Sequence, residues 1–289
     1  MARQSTNPAL TRIPAFSGRG PAGDRPYPPP TTPPTGAGPQ PYGSTGIDFT
    51  KRGGPDVGFD RPGAPAGVDR AMTLDDVIMR TGIMIGTVFV FAAISWVAVP
   101  LAFAFPAAIV GLVIALVVIF KQITNPAPIL AYAAVEGVFL GTFSKLIAGY
   151  VGGSDGNAVV VQALVGTAGV AALMLFLYKS GRIRVTPQFQ KMVVAATAGF
   201  FVLIMANLVF SLFTGGAGLR GGFLGIIVGV VAIGLASMNL VLDFDLIEKS
   251  VKQGVPERFG WLAAFGLVVT LVWLYVEILR LLALLTGRD

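Results

Sequence analysis

Residues 222–248 read GFLGIIVGVVAIGLASMNLVLDFDLIE, closing on the run Met238-Asn239-Leu240-Val241-Leu242-Asp243-Phe244-Asp245-Leu246-Ile247. A stretch this long and apolar is what a membrane-crossing helix requires, since ~20 residues at ~1.5 Å each span the hydrocarbon layer. The aspartates set into it are the anomaly. An ionised side chain at the bilayer centre costs at least ~2.5–3.5 kcal/mol, so acids there must face a protein interior, a partner or a water-filled cavity. The later run Trp273-Leu274-Tyr275-Val276-Glu277-Ile278-Leu279-Arg280 repeats the anomaly with Glu277, and an earlier apolar stretch holds Glu136. These carboxylates mark the first place to look for function.

Composition agrees with the reading from that stretch. Of 289 residues 54% are hydrophobic and only 12% charged, and the mean hydropathy is +0.75. A soluble domain of this size needs far more polar surface, so the chain reads as an all-α polytopic membrane protein. It has no cysteine and no histidine. Disulfides, thiolate nucleophiles, zinc ligation by Cys or His, haem ligation by His and Ser-His-Asp catalysis are thereby excluded. The net charge of +6 does not indicate nucleic-acid binding, because the basic residues sit mainly in the N-terminal tail and short loops.

Residues 1–70 are rich in Pro, Gly, Ser and Thr and lack a hydrophobic period, which predicts a disordered or polyproline-like tail, with the membrane domain occupying 71–289. The tail reads either as a docking segment for a partner or anionic lipid, or as a solvated extension. No signal-peptide pattern is visible in it, so the first apolar segment is expected to act as an uncleaved anchor. Thr73-Leu74-Asp75-Asp76 predicts a helix start, with Thr73 as N-cap. Apolar segments follow at about 76–98, 101–120, 127–149, 157–178, 188–213, 222–248 and 258–285. Pro100 and Asn125-Pro126 break the chain between segments. Gly152-Gly153-Ser154-Asp155-Gly156 and Gly215-Gly216-Ala217-Gly218 read as loops.

Basic residues set the expected orientation. The tail and the loops after segments two, four and six carry most of the Lys and Arg, among them Lys121, Lys179, Arg182, Arg184, Lys249, Lys252 and Arg258. The other side offers only Arg220 and Arg288 in its loops and end. The positive-inside rule then puts the N-terminus in the cytoplasm and, with seven spans, the C-terminus outside the cell inner (plasma) membrane.

Each acid has a local reading and a functional one. Asp243 and Asp245 are ~200° apart on a helix, so both cannot enter one cavity. Asp245 has Lys249 and Glu248 has Lys252 at i+4, ordinary helix-surface pairs. Asp243 has only Leu240, Asn239, Leu246 and Ile247 at those spacings, so its partner must come from another helix, and Arg80 is a candidate counter-ion. Glu277 has two candidate partners. Arg280 at i+3 would cancel its charge within one helix, whereas Asp243 would share a proton with it across two helices, giving a pH switch without histidine. That second pairing requires 249–261 to lie along the membrane interface, so that the two acids reach one depth. Glu136 lies on the opposite helix face from Lys145, and reads either as a buried structural glutamate or as part of an ion path.

Pro126 with Pro128, Tyr132, Glu136-Gly137 and Gly141, then Leu242-Asp243-Phe244-Asp245-Leu246-Ile247, and finally Leu274-Tyr275-Val276-Glu277, resemble the motifs of the Bax inhibitor-1 family, also called transmembrane Bax inhibitor motif or YccA-like proteins. The tail and Met72-Thr73-Leu74-Asp75-Asp76 resemble its actinobacterial branch. The resemblance implies a central helix wrapped by six others and a pH-sensitive calcium leak gated by acids on helices six and seven, which by position are Asp243 and Glu277. It departs from the family pattern in having glutamate at the second position and Leu242 before the first. It also implies, as a different class of function, control of a membrane-bound ATP-dependent protease.

The first expectation is therefore a proton-regulated cation leak in the lipid bilayer. Calcium suits a chain that offers carboxylate and carbonyl oxygens as its ligands, while a resident metal site is unassigned and no cofactor is expected. The second is a regulatory protein that binds a membrane protease or respiratory complex. A third, an intramembrane aspartyl protease, lacks the Gly-x-Gly-Asp element expected of that class. The candidate residues are Asp243 and Glu277 for gating, with Glu136, Asp245, Arg280 and Arg80 as ion-path or supporting groups.

Overall fold

A computed structural model describes residues 70–214 and 221–287, apart from the side chains of Ser154, Leu212 and Thr214. Among these residues the chain forms seven membrane-length helices: α1 Leu74–Ala98, α2 Ala104–Lys121, α3 Pro126–Val151, α4 Gly153–Lys179, α5 Pro187–Thr214, α6 Gly222–Lys252 and α7 Phe259–Thr286. Every expected segment is a helix. The expectations for the tail and for the glycine loop at 215–218, and the side assigned to Arg220 and Arg288, fall outside the described residues.

Local chemistry accounts for most boundaries. Thr73 and Asp76 form a reciprocal capping box at the start of α1, with the Thr73 amide 2.9 Å from Asp76 Oδ2 and the Asp76 amide 3.2 Å from Thr73 Oγ1. Asn125 caps α3 by accepting from the Ala127 amide at 3.0 Å, with Pro126 in the first helical position, where its missing N–H is not needed. Pro106 likewise falls in the first turn of α2, just after a 3-10 turn at Leu101–Phe103, so segment two remains helical despite it. The loop expected over 152–156 shrinks to Gly152. Gly152 and Gly153, with φ of 79° and 57°, make the reversal alone, and residues from Gly153 onward already belong to α4.

Helix α7 is the centre of the bundle. It packs on α1, α3, α4 and α6, and from Phe259 to Leu284 every residue is buried or half-buried. Helix α3 packs on α1, α2, α4 and α7, and Tyr132 meets Phe265 edge-on at 4.9 Å between α3 and α7. The tight α1–α3 contact depends on Gly137 and Gly141, one turn apart. A Cβ at either position would collide with main-chain carbonyls of α1, at Val88 or Ala92. Small residues at this spacing let helix backbones approach closely where lipid supplies no hydrophobic drive between helices. Helices α2 and α5 are peripheral, and their apolar side chains face outward: Phe120 is 81% and Phe213 86% exposed. A band of such residues belongs against lipid, not water.

The basic end of the bundle is tied together directly. The Met72 amide donates to Val255 O at 2.8 Å and the Glu257 amide to Arg70 O at 2.7 Å, so the segment before α1 lies as a short antiparallel bridge on the α6–α7 loop. The Tyr178 hydroxyl at the end of α4 donates to the Glu248 carboxylate near the end of α6. Lys179, Lys249, Lys252 and Arg258 therefore share one end of the molecule.

Candidate functional site

Helices α6 and α7 run antiparallel, and their register decides which acids can meet. Towards one end, a Cβ placed on Gly229 would lie 3.4 Å from both Arg280 Nη2 and Leu281 Cδ1. Towards the other, Asp243 faces Gly266 and Thr270. The Thr270 hydroxyl donates to Asp243 Oδ2 at 2.6 Å and lies 3.2 Å from the Gly266 carbonyl on its own helix. The second carboxylate oxygen sits beside Gly266, 4.0 Å from where a Cβ would be, an ordinary van der Waals separation. Beside Asp243, Leu240 and Val241 are 0% and 1% exposed, and Asp243 itself is half-buried. Among the described residues Asp243 makes no ion pair; the partner from another helix that its sequence neighbours call for is a hydroxyl and not a cation.

A carboxyl beside a hydroxyl has two satisfied arrangements. The ionised acid accepts a hydrogen bond from the Thr270 hydroxyl. The neutral acid can donate to Thr270 Oγ1, whose own proton then turns to the Gly266 carbonyl. The neutral arrangement is a closed chain of hydrogen bonds with no net charge. The ionised one leaves an anion with a single donor in an apolar seam, which attracts water and cations.

Glu277 is not part of this contact. Arg280 donates to Glu277 Oε2 from Nη2 at 2.7 Å and from Nε at 3.1 Å, and the two side chains are 12% and 3% exposed respectively. Of the two partners open to Glu277, the one on its own helix is the one formed. The cross-helix pair is absent because α6 continues to Lys252 and α7 starts at Phe259, leaving no stretch along the interface between them. Asp243 is nine residues from the end of α6 and Glu277 eighteen from the start of α7. At ~1.5 Å per residue this puts Glu277 about 13 Å deeper than Asp243. Chemistry needing two adjacent acids, aspartyl proteolysis included, has no such pair at these positions.

Arg80 is also engaged elsewhere. Its guanidinium donates to the Glu257 carboxylate at 2.6 Å and to the Glu257 main-chain carbonyl, and it lies 5.5 Å from the Trp261 ring centre. Gly260 makes room for it, since a Cβ there would strike the guanidinium. Arg80 is thus no counter-ion for Asp243. It belongs to a clasp at the basic end with Arg70, which bonds Asp76 at 2.8 Å and Glu257 at 3.1 Å. Hydrogen bonds to Asp76, then Glu257, raise the Arg70 pKa further, so its guanidinium stays protonated within the clasp. Asp245 pairs with Lys249, and Glu248 with Lys252, as their i+4 spacing predicts. Glu136 is 8% exposed and faces α2, where its Oε2 would lie 2.8 Å from a Cβ on Gly111. It therefore lies away from the α6–α7 seam.

Several participants carried little signal in the sequence. Thr270 is one hydroxyl in a Val-Val-Thr-Leu-Val run and becomes notable only once the register is known. Glu257 sits in a charged turn that offers no reason to prefer it. Ser144 and Tyr275 share a buried hydrogen bond of 2.7 Å between α3 and α7, and Asn239 donates to Thr197 Oγ1 at 2.7 Å, tying α5 to α6. For Thr270, Ser144, Tyr275 and Asn239 a polar residue within an apolar span was the available clue.

No curated protein matches the chain. The sequence profile of a family described as Bax inhibitor 1 like matches residues 7–287, nearly the whole length. With seven apolar helices, Tyr132, Glu136, Gly137 and Gly141 grouped on α3 and Asp243 placed at the α6–α7 seam, the chain belongs to the Bax inhibitor 1 like family.

Proposed function

We propose that this protein is a slow cation leak in the plasma membrane, with calcium as the permeant ion, and that protonation of Asp243 closes it. The observation that supports this most is a carboxylate without an ion pair at the seam of α6 with the central helix, held by the single hydroxyl of Thr270. Deprotonation places a negative charge there, which draws water and a hard cation into the seam; protonation restores the neutral chain from Asp243 through Thr270 to Gly266. Among the described residues no three carboxylates cluster as a metal cage, and in this reading calcium passes the site without residing in it. The gate runs on one acid and a hydroxyl, with the Glu277–Arg280 pair serving to anchor α7. The basic end lies in the cytoplasm, following the positive-inside rule.

The test is calcium flux into proteoliposomes carrying an internal indicator. Flux is expected to rise with pH, and Asp243→Asn is expected to remove that dependence. Absence of flux, or an unchanged pH profile in the variant, would sink the proposal and leave regulation of a membrane partner as the better account.

A further inference from the structure

Beyond the seam, a groove of about 970 Å³ opens between α1, the end of α4 and the end of α6. Its wall is apolar, formed by residues such as Ile78, Ile85, Leu175 and Leu267, and its mouth is at the basic end. Two acids border that mouth, but Asp245 is paired with Lys249 and Glu248 with Lys252. Lys179 and Arg184 also border it, both exposed and both without an ion pair among the described residues. The rim therefore carries two uncompensated positive charges above an apolar channel.

One group inside the groove is left without a partner. Thr81 lines it and is 8% exposed, yet its hydroxyl has no hydrogen-bond partner among the described residues. A buried hydroxyl without a partner is destabilising, and rotation about χ1 toward an acceptor supplied by a molecule bound in the groove relieves it. Thr81 is seven residues along α1 from Leu74, ~10 Å below the start of the helix. The depth order is thus cations, then a hydroxyl donor, then hydrocarbon.

We infer that this groove is a binding site for one anionic phospholipid of the surrounding bilayer. The phosphate sits between Lys179 and Arg184, an ester carbonyl accepts from Thr81, and an acyl chain runs along Ile85, Leu175 and Leu267. Charge complementarity selects an anionic headgroup over a zwitterionic one, because the acids at the mouth are already neutralised by lysines on their own helix. The site is independent of the proposed leak: Asp243 does not line it, and lipid occupancy is measurable without ion flux.

The experiment is native mass spectrometry of the full chain released from micelles doped equally with phosphatidylglycerol and phosphatidylcholine. One phosphatidylglycerol per chain is expected to survive release in preference to phosphatidylcholine. Lys179→Gln with Arg184→Gln should weaken its retention about thirtyfold, the factor for two lipid-facing cations. Thr81→Val removes a hydroxyl that bonds nothing in the protein, so it spares the fold while lowering retention about fivefold. On the unaltered protein, phosphatidylglycerol with a photoreactive acyl chain should label the peptides containing Ile85 and Leu175. Equal retention of both lipids, retention unaffected by the paired substitution, or labelling spread evenly over α2 and α5 would each overturn the site. Retention that rises only when residues 1–69 are removed would overturn it too, identifying the tail as the occupant.

Discussion

Substituting Glu277 and substituting Asp243 should have opposite consequences, because the structure gives one a cation and the other a hydroxyl. Glu277→Gln leaves the Arg280 guanidinium, only 12% exposed, without the carboxylate that takes its two hydrogen bonds of 2.7 and 3.1 Å. Removing one member of a buried pair typically destabilises by ~3–5 kcal/mol. Arg280 has further interactions, which favours the lower end of that range, ~3 kcal/mol. The loss is measurable as a shift in unfolding by SDS in mixed micelles, followed by the fluorescence of Trp273, one turn before Glu277. Replacing both partners, Glu277→Leu with Arg280→Met, should be nearly neutral, since the desolvation of both charges disappears with them. Asp243→Asn keeps an oxygen that accepts from Thr270, so its stability cost should stay below ~1.5 kcal/mol, while the pH response of calcium flux disappears. If Glu277→Gln instead abolished the pH response and left stability within ~1 kcal/mol, Glu277 would be titrating with Asp243 in a second conformation, and a single-acid gate would be refuted.

Thr270→Val removes the one hydrogen bond that Asp243 receives from the central helix, and should cost ~1.5–3 kcal/mol in the same SDS assay, the range for a bond to a charged group. Gly141→Ala forces a Cβ into the Ala92 carbonyl and Ser95 of α1, and should destabilise by ~1–3 kcal/mol with the helices moved apart, read as a lower thermal midpoint in detergent. Asp245→Asn should change stability by no more than ~0.5 kcal/mol and leave the flux profile intact, because its partner Lys249 is an exposed neighbour on the same helix. Arg80→Met opens the clasp on Glu257, so tryptic cleavage after Lys252 in the full chain should accelerate about tenfold relative to the unaltered protein.

The helices were legible because each rests on physics confined to a short stretch of chain. A span is apolar over ~20 residues whatever its neighbours do. Thr73 and Asp76 cap each other three residues apart, and Pro126 fits only the first turn of the helix that Asn125 caps. The same locality made the i+4 pairs of Asp245 and Glu248 readable. It also explains the misjudged turn at 152–156. Glycine-rich composition marks a reversal but not its length, and two residues at positive φ suffice where α3 and α4 pack against each other; Gly156 then lies on the Ala148 carbonyl with no room for a Cβ. Arg80 was misplaced for the opposite reason. Its partner Glu257 is 177 residues away in the chain, and a turn containing Glu257 and Arg258 gives no sign of which charge points inward.

The register of α6 against α7 is the link between that legible fold and the site, and it was within reach of simple counting. A short connection forces antiparallel helices to pair residues at nearly equal distances from the turn. Asp243 lies nine residues before the end of α6, and Thr270 eleven after the start of α7. The residue opposite Asp243 is therefore near 268–270, where the sequence offers Val268, Val269 and Thr270 and no acid. Glu277 is drawn to Asp243 only when the charged residues around 249–261 are taken as a surface-lying segment, and Lys249 and Lys252 complete helical ion pairs instead, which keeps α6 wound to its end. The consequence reaches the chemistry. Two carboxylates in contact release their protons in two coupled steps, whereas one carboxylate beside a hydroxyl titrates alone. A chain that places Thr270 opposite Asp243 has the components of a one-proton gate, and the charge of Glu277 is then free to be cancelled by Arg280 where α7 is most deeply enclosed.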